Sequence, residues 1–73
     1  MAYDYRKLSG RIVEIFGTQG KFAEAMQKSE RTISMKINGK IDWTQDEMIT
    51  AAKLLSFDVT DIPSYFFSYK VQD

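Results

Sequence analysis

The sequence predicts a compact, all-α domain of five short helices. Apolar residues recur at three- and four-residue steps along most of the chain, which places them on one face of an α-helix. Residues that cap helix N-termini precede several of these segments, and glycines follow two of them. A chain of 73 residues holds one hydrophobic core at most. We therefore expect a single domain over residues 1–73.

The first two helices are predicted from their ends and their apolar faces. Helix 1 is expected over residues 5–16, with Asp4 as its N-cap and Gly17 after its last turn, where glycine adopts the left-handed backbone without strain. Its inward residues are Tyr5, Leu8, Ile12, Ile15 and Phe16. Thr18 is expected to cap helix 2, which ends near residues 27–28. Its buried face is Phe22, Ala23 and Met26.

Helices 3 and 4 carry clearer boundary signals. Ser29 is expected to cap helix 3, which buries Ile33 and Ile37 and stops at the turn-forming dipeptide of residues 38–39. Thr44 and Glu47 form a capping box for helix 4, each side chain bonding the backbone amide of the other. Trp43 and Met48 are spaced for the accompanying hydrophobic staple. The inward stripe of helix 4 is Met48, Ala51, Ala52 and Leu55.

A short fifth helix is expected within residues 57–71. Pro63 suits an early helical position, because its missing amide proton is not needed there. The segment holds five of the aromatic residues. It either closes the core or supplies a dimer contact.

Composition excludes most kinds of catalysis. The chain contains no cysteine and no histidine, which removes thiol nucleophiles, imidazole bases and thiolate metal sites. Its carboxylates lack the spacing and the glycine of a calcium loop. We expect neither an enzyme nor a cofactor-binding or metal-binding protein. The apolar runs are far shorter than the roughly 20 residues that span a bilayer, and no signal-peptide pattern follows Met1, so we expect a cytoplasmic protein.

The balanced net charge conceals an uneven distribution. Residues 1–40 hold eight Lys or Arg against four Asp or Glu, whereas residues 41–73 hold two against six. The first part suits phosphates and the second suits a basic protein. The alternative is that both are ordinary solvated surfaces.

Helices 2 and 3, separated by about three residues, form a predicted helix-turn-helix unit at about residues 18–38, with Ala23 as the small residue at the helix crossing. In such units the second helix enters the DNA major groove. Its predicted outward residues are Glu30, Arg31, Thr32, Ser34, Met35 and Lys36. Arg31 is the strongest candidate for a base contact, because its guanidinium can donate two hydrogen bonds to guanine. Predicted phosphate contacts are Gln19, Lys21, Ser29, Asn38 and Lys40.

A second candidate surface lies at the start of helix 4. The residues Asp42, Trp43, Asp46 and Glu47 combine acids with an aromatic side chain, which suits a basic protein partner if the tryptophan is exposed. A structural interpretation competes with it, since Glu47 closes the capping box and Asp46 complements the helix dipole.

Three segments carry a resemblance to a known family. Residues 18–40 resemble the lambda-repressor-like helix-turn-helix class. Residues 29–38 (SERTISMKIN), 43–47 (WTQDE) and 65–67 (YFF) together resemble the small Cro-like regulators of temperate phages of lactococci and their relatives, among them the modulators of repression. The resemblance covers about residues 3–71. It departs from the wider class at Gln27 and Lys28, since that class usually has a glycine in the turn.

The resemblance implies a five-helix lambda-repressor-like domain that acts in the lysis–lysogeny switch inside a bacterial host cell. It further implies two partners, the phage repressor protein and operator DNA, with DNA bound alone or only together with the repressor. The alternative is a stand-alone Cro-like DNA-binding repressor. We expect a monomer or weak homodimer with no membrane partner.

Overall fold

The computed structural model describes residues 3–69 and contains five α-helices. They are α1 (Arg6–Phe16), α2 (Gln19–Met26), α3 (Glu30–Ile37), α4 (Gln45–Leu54) and α5 (Ile62–Phe66), and a 3-10 turn at Val59–Asp61 precedes α5. Residues 3–69 contain no β-strand. The five-helix, all-α prediction is confirmed. Residues 1, 2 and 70–73 of the predicted domain, and with them residues 70 and 71 of the segment expected to hold the fifth helix, lie outside the described residues.

The start of α1 differs by one residue from the prediction. Tyr5 occupies the N-cap and makes no side-chain capping bond. Asp4 acts from the preceding position, where its carboxylate accepts the Arg6 backbone N–H at 2.9 Å and pairs with the Arg6 guanidinium at 2.7 Å. Gly17 ends the helix as predicted, with φ at 83°, a conformation that a Cβ would strain. Ile15 was predicted to face inward and is exposed.

The predicted caps of α2 and α3 are confirmed. Thr18 Oγ1 accepts the Lys21 N–H at 3.1 Å, and Ser29 Oγ accepts the Thr32 N–H at 3.1 Å. The three residues between the helices turn at Gln27, whose backbone is left-handed with φ at 60°. Glycine adopts this conformation at lower cost than glutamine. The chain therefore makes the turn despite lacking a glycine there.

The capping box of α4 is also confirmed. Thr44 Oγ1 accepts the Glu47 N–H at 3.2 Å, and Glu47 Oε1 accepts the Thr44 N–H at 2.9 Å. The fifth helix is shorter than the segment in which it was predicted. The 3-10 turn occupies its beginning, and Pro63 lies in the first turn of α5 as expected.

All five helices contribute to the buried core or pack against it. Its largest fully buried side chains are Phe22, Phe66, Leu8, Ile12, Ile33 and Leu55. Two aromatic pairs join elements across it: Phe16 with Phe22, at 5.6 Å between ring centroids, and Trp43 with Phe66, at 5.1 Å. Because α5 buries both Ile62 and Phe66, it closes the core.

The described chain ends are joined to each other. The Asp4 backbone N–H donates to the Ser68 carbonyl at 2.6 Å, and Tyr3 forms an antiparallel bridge with Tyr69. The Tyr3 ring also lies 5.7 Å from the Phe67 ring. These contacts fix the start of α1 against the residues that follow α5.

Candidate functional site

A cluster of charged side chains connects α3 with the start of α4. Lys36 Nζ lies 2.9 Å from Glu47 Oε1 and donates to the Asp42 carbonyl at 2.8 Å. Lys28 Nζ, from the turn before α3, lies 3.5 Å from Glu47 Oε2. The Glu47 carboxylate therefore pairs with two lysines and also accepts a hydrogen bond from the Thr44 amide.

The prediction that Lys36 points outward with the DNA-contacting residues is wrong. Its side chain is only 5% exposed, and its ammonium is held by Glu47 and the Asp42 carbonyl. Its ammonium also lies 5.8 Å from the centre of the Trp43 ring. Lys36 is thus part of the contact between α3 and α4, not of the outer face of α3.

The alternative partner surface at the start of helix 4, which required an exposed tryptophan, is not formed by Trp43 and Glu47. Trp43 is 6% exposed and packs edge-on against Phe66, and Glu47 is 8% exposed. Of the predicted acidic surface, Asp42 and Asp46 remain exposed. The structural interpretation of Trp43 and Glu47 is therefore the correct one, and these two side chains offer little surface to a partner.

Two opposing effects act on the pKa of Glu47. Burial disfavours its charged form, but the hydrogen bond from the Thr44 amide and the charges of Lys36 and Lys28 favour it. The net result is a pKa of Glu47 below the ordinary value of a glutamate. The carboxylate is consequently charged at neutral pH, and the cluster keeps its ion pairs.

The other residues predicted to face outward on α3 keep some or all of their exposure. Glu30 and Arg31 are exposed, whereas Thr32, Ser34 and Met35 are half-buried. Among residues 3–69 the Arg31 side chain has neither an ion pair nor a hydrogen bond. Its guanidinium therefore stays available for an external acceptor.

The Glu30 side chain leans over the first turn of α2. A Cβ at position 20 would lie 3.3 Å from Glu30 Oε1, so the lack of a side chain at Gly20 leaves space for this carboxylate. Ala23 was predicted as the small residue at the helix crossing and is fully buried. The sequence analysis did not identify Gly20. A signal was present, because Gly20 is a small residue three positions before Ala23 and therefore lies on the same face of the helix.

The predicted phosphate-contacting residues fall into two groups. Lys21 and Lys40 are exposed and Gln19 is half-buried, and no hydrogen bond ties these three side chains to other residues between 3 and 69. Ser29 and Asn38 are exposed, but Ser29 caps α3 and donates to Thr32 Oγ1, while Asn38 Nδ2 donates to the Ser34 carbonyl at 2.9 Å. The two lysines are thus the freer candidates.

An apolar groove lies between α4 and the segment from the 3-10 turn to α5. Its volume is about 460 Å³, and Gln45 is the polar residue in its lining. The apolar lining residues are Met48, Ile49, Val59, Ile62, Pro63 and Phe67. Ile49, Val59 and Phe67 are large side chains left exposed. The sequence prediction did not identify this groove. The sequence pattern that could have indicated the groove is the presence of apolar residues at 49, 59 and 67, which lie outside the predicted inward faces.

The described part of the chain was also surveyed for metal-binding and membrane-spanning features. No three His, Cys, Asp or Glu side chains within residues 3–69 are grouped closely enough to hold a metal ion. Between the same limits, no helix combines the length and the apolar character that crossing a membrane requires.

The five short helices around one core, with α2 and α3 joined by a three-residue turn, define the all-α fold of a small phage regulator. The chain belongs to the DUF739 family, described as a protein of unknown function, whose model matches residues 1–69. It is similar to the solution structure of the modulator of repression of the temperate bacteriophage TP901-1 from Lactococcus lactis, with 50% identity and a TM-score of 0.81. That match covers 99% of this chain and 97% of the other. No curated protein matches. The resemblance to phage modulators of repression is confirmed.

Proposed function

We propose that the protein is a non-enzymatic phage regulator of the lysis–lysogeny switch, which modulates repression by binding the phage repressor and, with it or alone, operator DNA. The observation that carries this proposal is the similarity to the phage modulator of repression. Half of the aligned positions is about 36 residues, three times the twelve apolar residues buried in the core. The identity therefore extends beyond the buried core, to positions that contribute to the surface of the protein.

The charge distribution supports a protein partner. Residues 41–73 carry an excess of four acids, and Asp42, Asp46, Asp58 and Asp61 are all exposed. A DNA-binding repressor presents basic residues to its operator, so an acidic surface is complementary to it. A regulator that covers those basic residues competes with DNA for them.

The second candidate is a stand-alone Cro-like DNA-binding repressor. The exposed Arg31 on α3 favours it, together with Lys21 and Lys40 at the two sides of the α2–α3 unit. In this role α2 and α3 act as a helix-turn-helix, with Arg31 towards base edges and the lysines towards phosphates. Because Arg31 is the one positive residue on the outer face of α3, most of the attraction to phosphates in this role would come from the two lysines beside the helix.

A gel-shift experiment on DNA from the switch region separates these functions. The lanes contain this protein alone, the repressor alone, and both together. Loss of the repressor's shift indicates antirepression, and a new slower species indicates corepression. Retardation by this protein alone, with the repressor's shift unchanged when both are present, indicates a stand-alone DNA-binding repressor. An unchanged repressor shift, with no shift from this protein alone at concentrations well above micromolar, refutes the proposal.

A further inference from the structure

We propose that the apolar groove between α4 and α5 is the docking site for an amphipathic, basic helix of the repressor, an inference that rests on the proposed function. The groove exposes Ile49, Val59 and Phe67 side by side with the half-buried Met48. Apolar side chains gathered in one open groove mark an interaction site more often than isolated exposed ones do. A volume of about 460 Å³ accommodates several side chains of a partner.

The charges around the groove determine the kind of partner. Asp46, Asp58 and Asp61 are exposed, and each directly adjoins a groove-lining residue in the sequence. Asp58 also accepts the Thr60 N–H at 3.1 Å, which keeps its carboxylate close to the 3-10 turn. Between residues 41 and 69 the sequence contains one basic residue, Lys53. The charged residues next to the groove lining in the sequence are all acidic, and a cation from α1, Lys7, contacts α5, where its Nζ lies 3.2 Å from Ser64 Oγ beside Pro63. We therefore expect an apolar occupant with basic flanks.

Other occupants fit this surface less well. DNA phosphates are repelled by the adjoining aspartates. A second copy of the chain would bring the same aspartates face to face, because a two-fold interface pairs each surface with itself. A helix with apolar residues at i, i+3 or i+4, and i+7 spans about 10 Å, which is shorter than the roughly 15 Å of the ten-residue α4 that forms one wall. A basic helix thus satisfies both the shape and the charge.

Two pairs of variants test the groove. Val59→Asp places a charge on the apolar lining, and its control is Val13→Asp on α1, since the two valines are 55% and 59% exposed. Asp61→Lys reverses one of the charges that adjoin the lining, and its control is Glu24→Lys on the exposed face of α2. All four positions are exposed, so the variants keep the core intact. Circular dichroism and thermal melts check that they fold.

Isothermal titration calorimetry of the full-length repressor against each full-length variant measures the effect. We expect Val59→Asp and Asp61→Lys to weaken binding by about tenfold or more, and the two controls to stay within about twofold of the unmodified protein. In ¹⁵N-labelled protein, the largest amide shifts on adding the repressor are expected at Ile49, Val59 and Phe67.

The outcomes separate the groove from the function itself. If the unmodified protein binds the repressor but Val59→Asp and Asp61→Lys bind as tightly as their controls, or the largest shifts fall on α3, the groove assignment is wrong while the proposed function stands. If the protein sediments as a dimer that Val59→Asp dissociates, the groove is a contact between copies and the assignment is also wrong. If the unmodified protein does not bind the repressor, the proposed function fails and the groove assignment fails with it.

Discussion

Replacing Glu47 with glutamine removes one charge from the cluster between α3 and α4 and preserves its shape. The amide oxygen of glutamine can still accept the Thr44 N–H, since a capping box forms with Glu or Gln. What is lost is the 2.9 Å pair with the buried Lys36 and the 3.5 Å pair with the partly exposed Lys28. The Lys36 ammonium keeps the Asp42 carbonyl as its acceptor.

The size of the effect follows from the burial of each pair. Removing one partner of a fully buried ion pair costs about 3–5 kcal/mol, whereas an exposed pair contributes about 0–1 kcal/mol. The Lys36–Glu47 pair lies at the edge of the core, so we expect Glu47→Gln to lower the free energy of unfolding by about 2 kcal/mol at pH 7. At about 4–8 °C per kcal/mol for a domain of this size, Tm falls by about 8–16 °C.

The effect has a defined pH dependence. Because the pKa of Glu47 in the folded state lies below its unfolded value, the ionised carboxylate stabilises the fold above the unfolded pKa of about 4.3. That stability is lost as the pH falls through the folded pKa. Urea denaturation of Glu47→Gln and of the unmodified protein, at pH 7 and at pH below 3, measures the difference in stability between them. The control is Asp46→Asn, which removes an exposed acid of the same helical turn. Equal stability of Glu47→Gln and the unmodified protein at pH 7, or a difference that persists undiminished in acid, would refute this account.

Three further substitutions probe the turn, the core and the α3 face. Gln27→Gly removes the left-handed strain at φ 60° and is expected to raise stability by up to about 1 kcal/mol in urea denaturation; a loss of stability would show that the glutamine side chain contributes there. Phe66→Ala deletes a fully buried ring and is expected to cost about 3–5 kcal/mol, leaving a small domain largely unfolded by circular dichroism; a cooperative, near-normal melt would contradict its place in the core. In gel shifts with the repressor present, Arg31→Ala is expected to reduce preference for operator over unrelated DNA, whereas Lys40→Ala weakens both alike; equal effects of the two would contradict a base contact by Arg31.

The helix boundaries were predictable because their determinants are local. Thr18, Ser29 and Thr44 each bond an amide three residues ahead, and Gly17 adopts the positive φ that its position demands. Each of these features depends only on residues that are close together in the sequence. The one-residue error at α1 has the same origin, since Asp4 bonds the Arg6 amide two residues ahead instead of an amide three ahead.

The position of Lys36 was not predictable in the same way, and the sequence left that of Trp43 open between a buried staple and an exposed partner surface. Lys36 lies three residues after the buried Ile33, so the helical period places it on the boundary of the inward face, but its charge favoured an outward assignment. Only the approach of α4 supplies the carboxylate that makes burial of Lys36 tolerable. Trp43 likewise depends on Phe66, which lies 23 positions later in the chain. Contacts between distant elements decide both residues.

The internal pairing of Lys36 also affects how α3 would respond to salt on DNA. Each phosphate that a lysine or arginine neutralises releases a counterion and adds about −0.9 to the slope of log affinity against log salt concentration. Because the Lys36 charge is engaged by Glu47 inside the fold, Arg31 is the one cation that α3 presents to a phosphate or a base. For α3 in contact with DNA, the expected slope is therefore shallower by about one ion than that of a helix presenting both side chains.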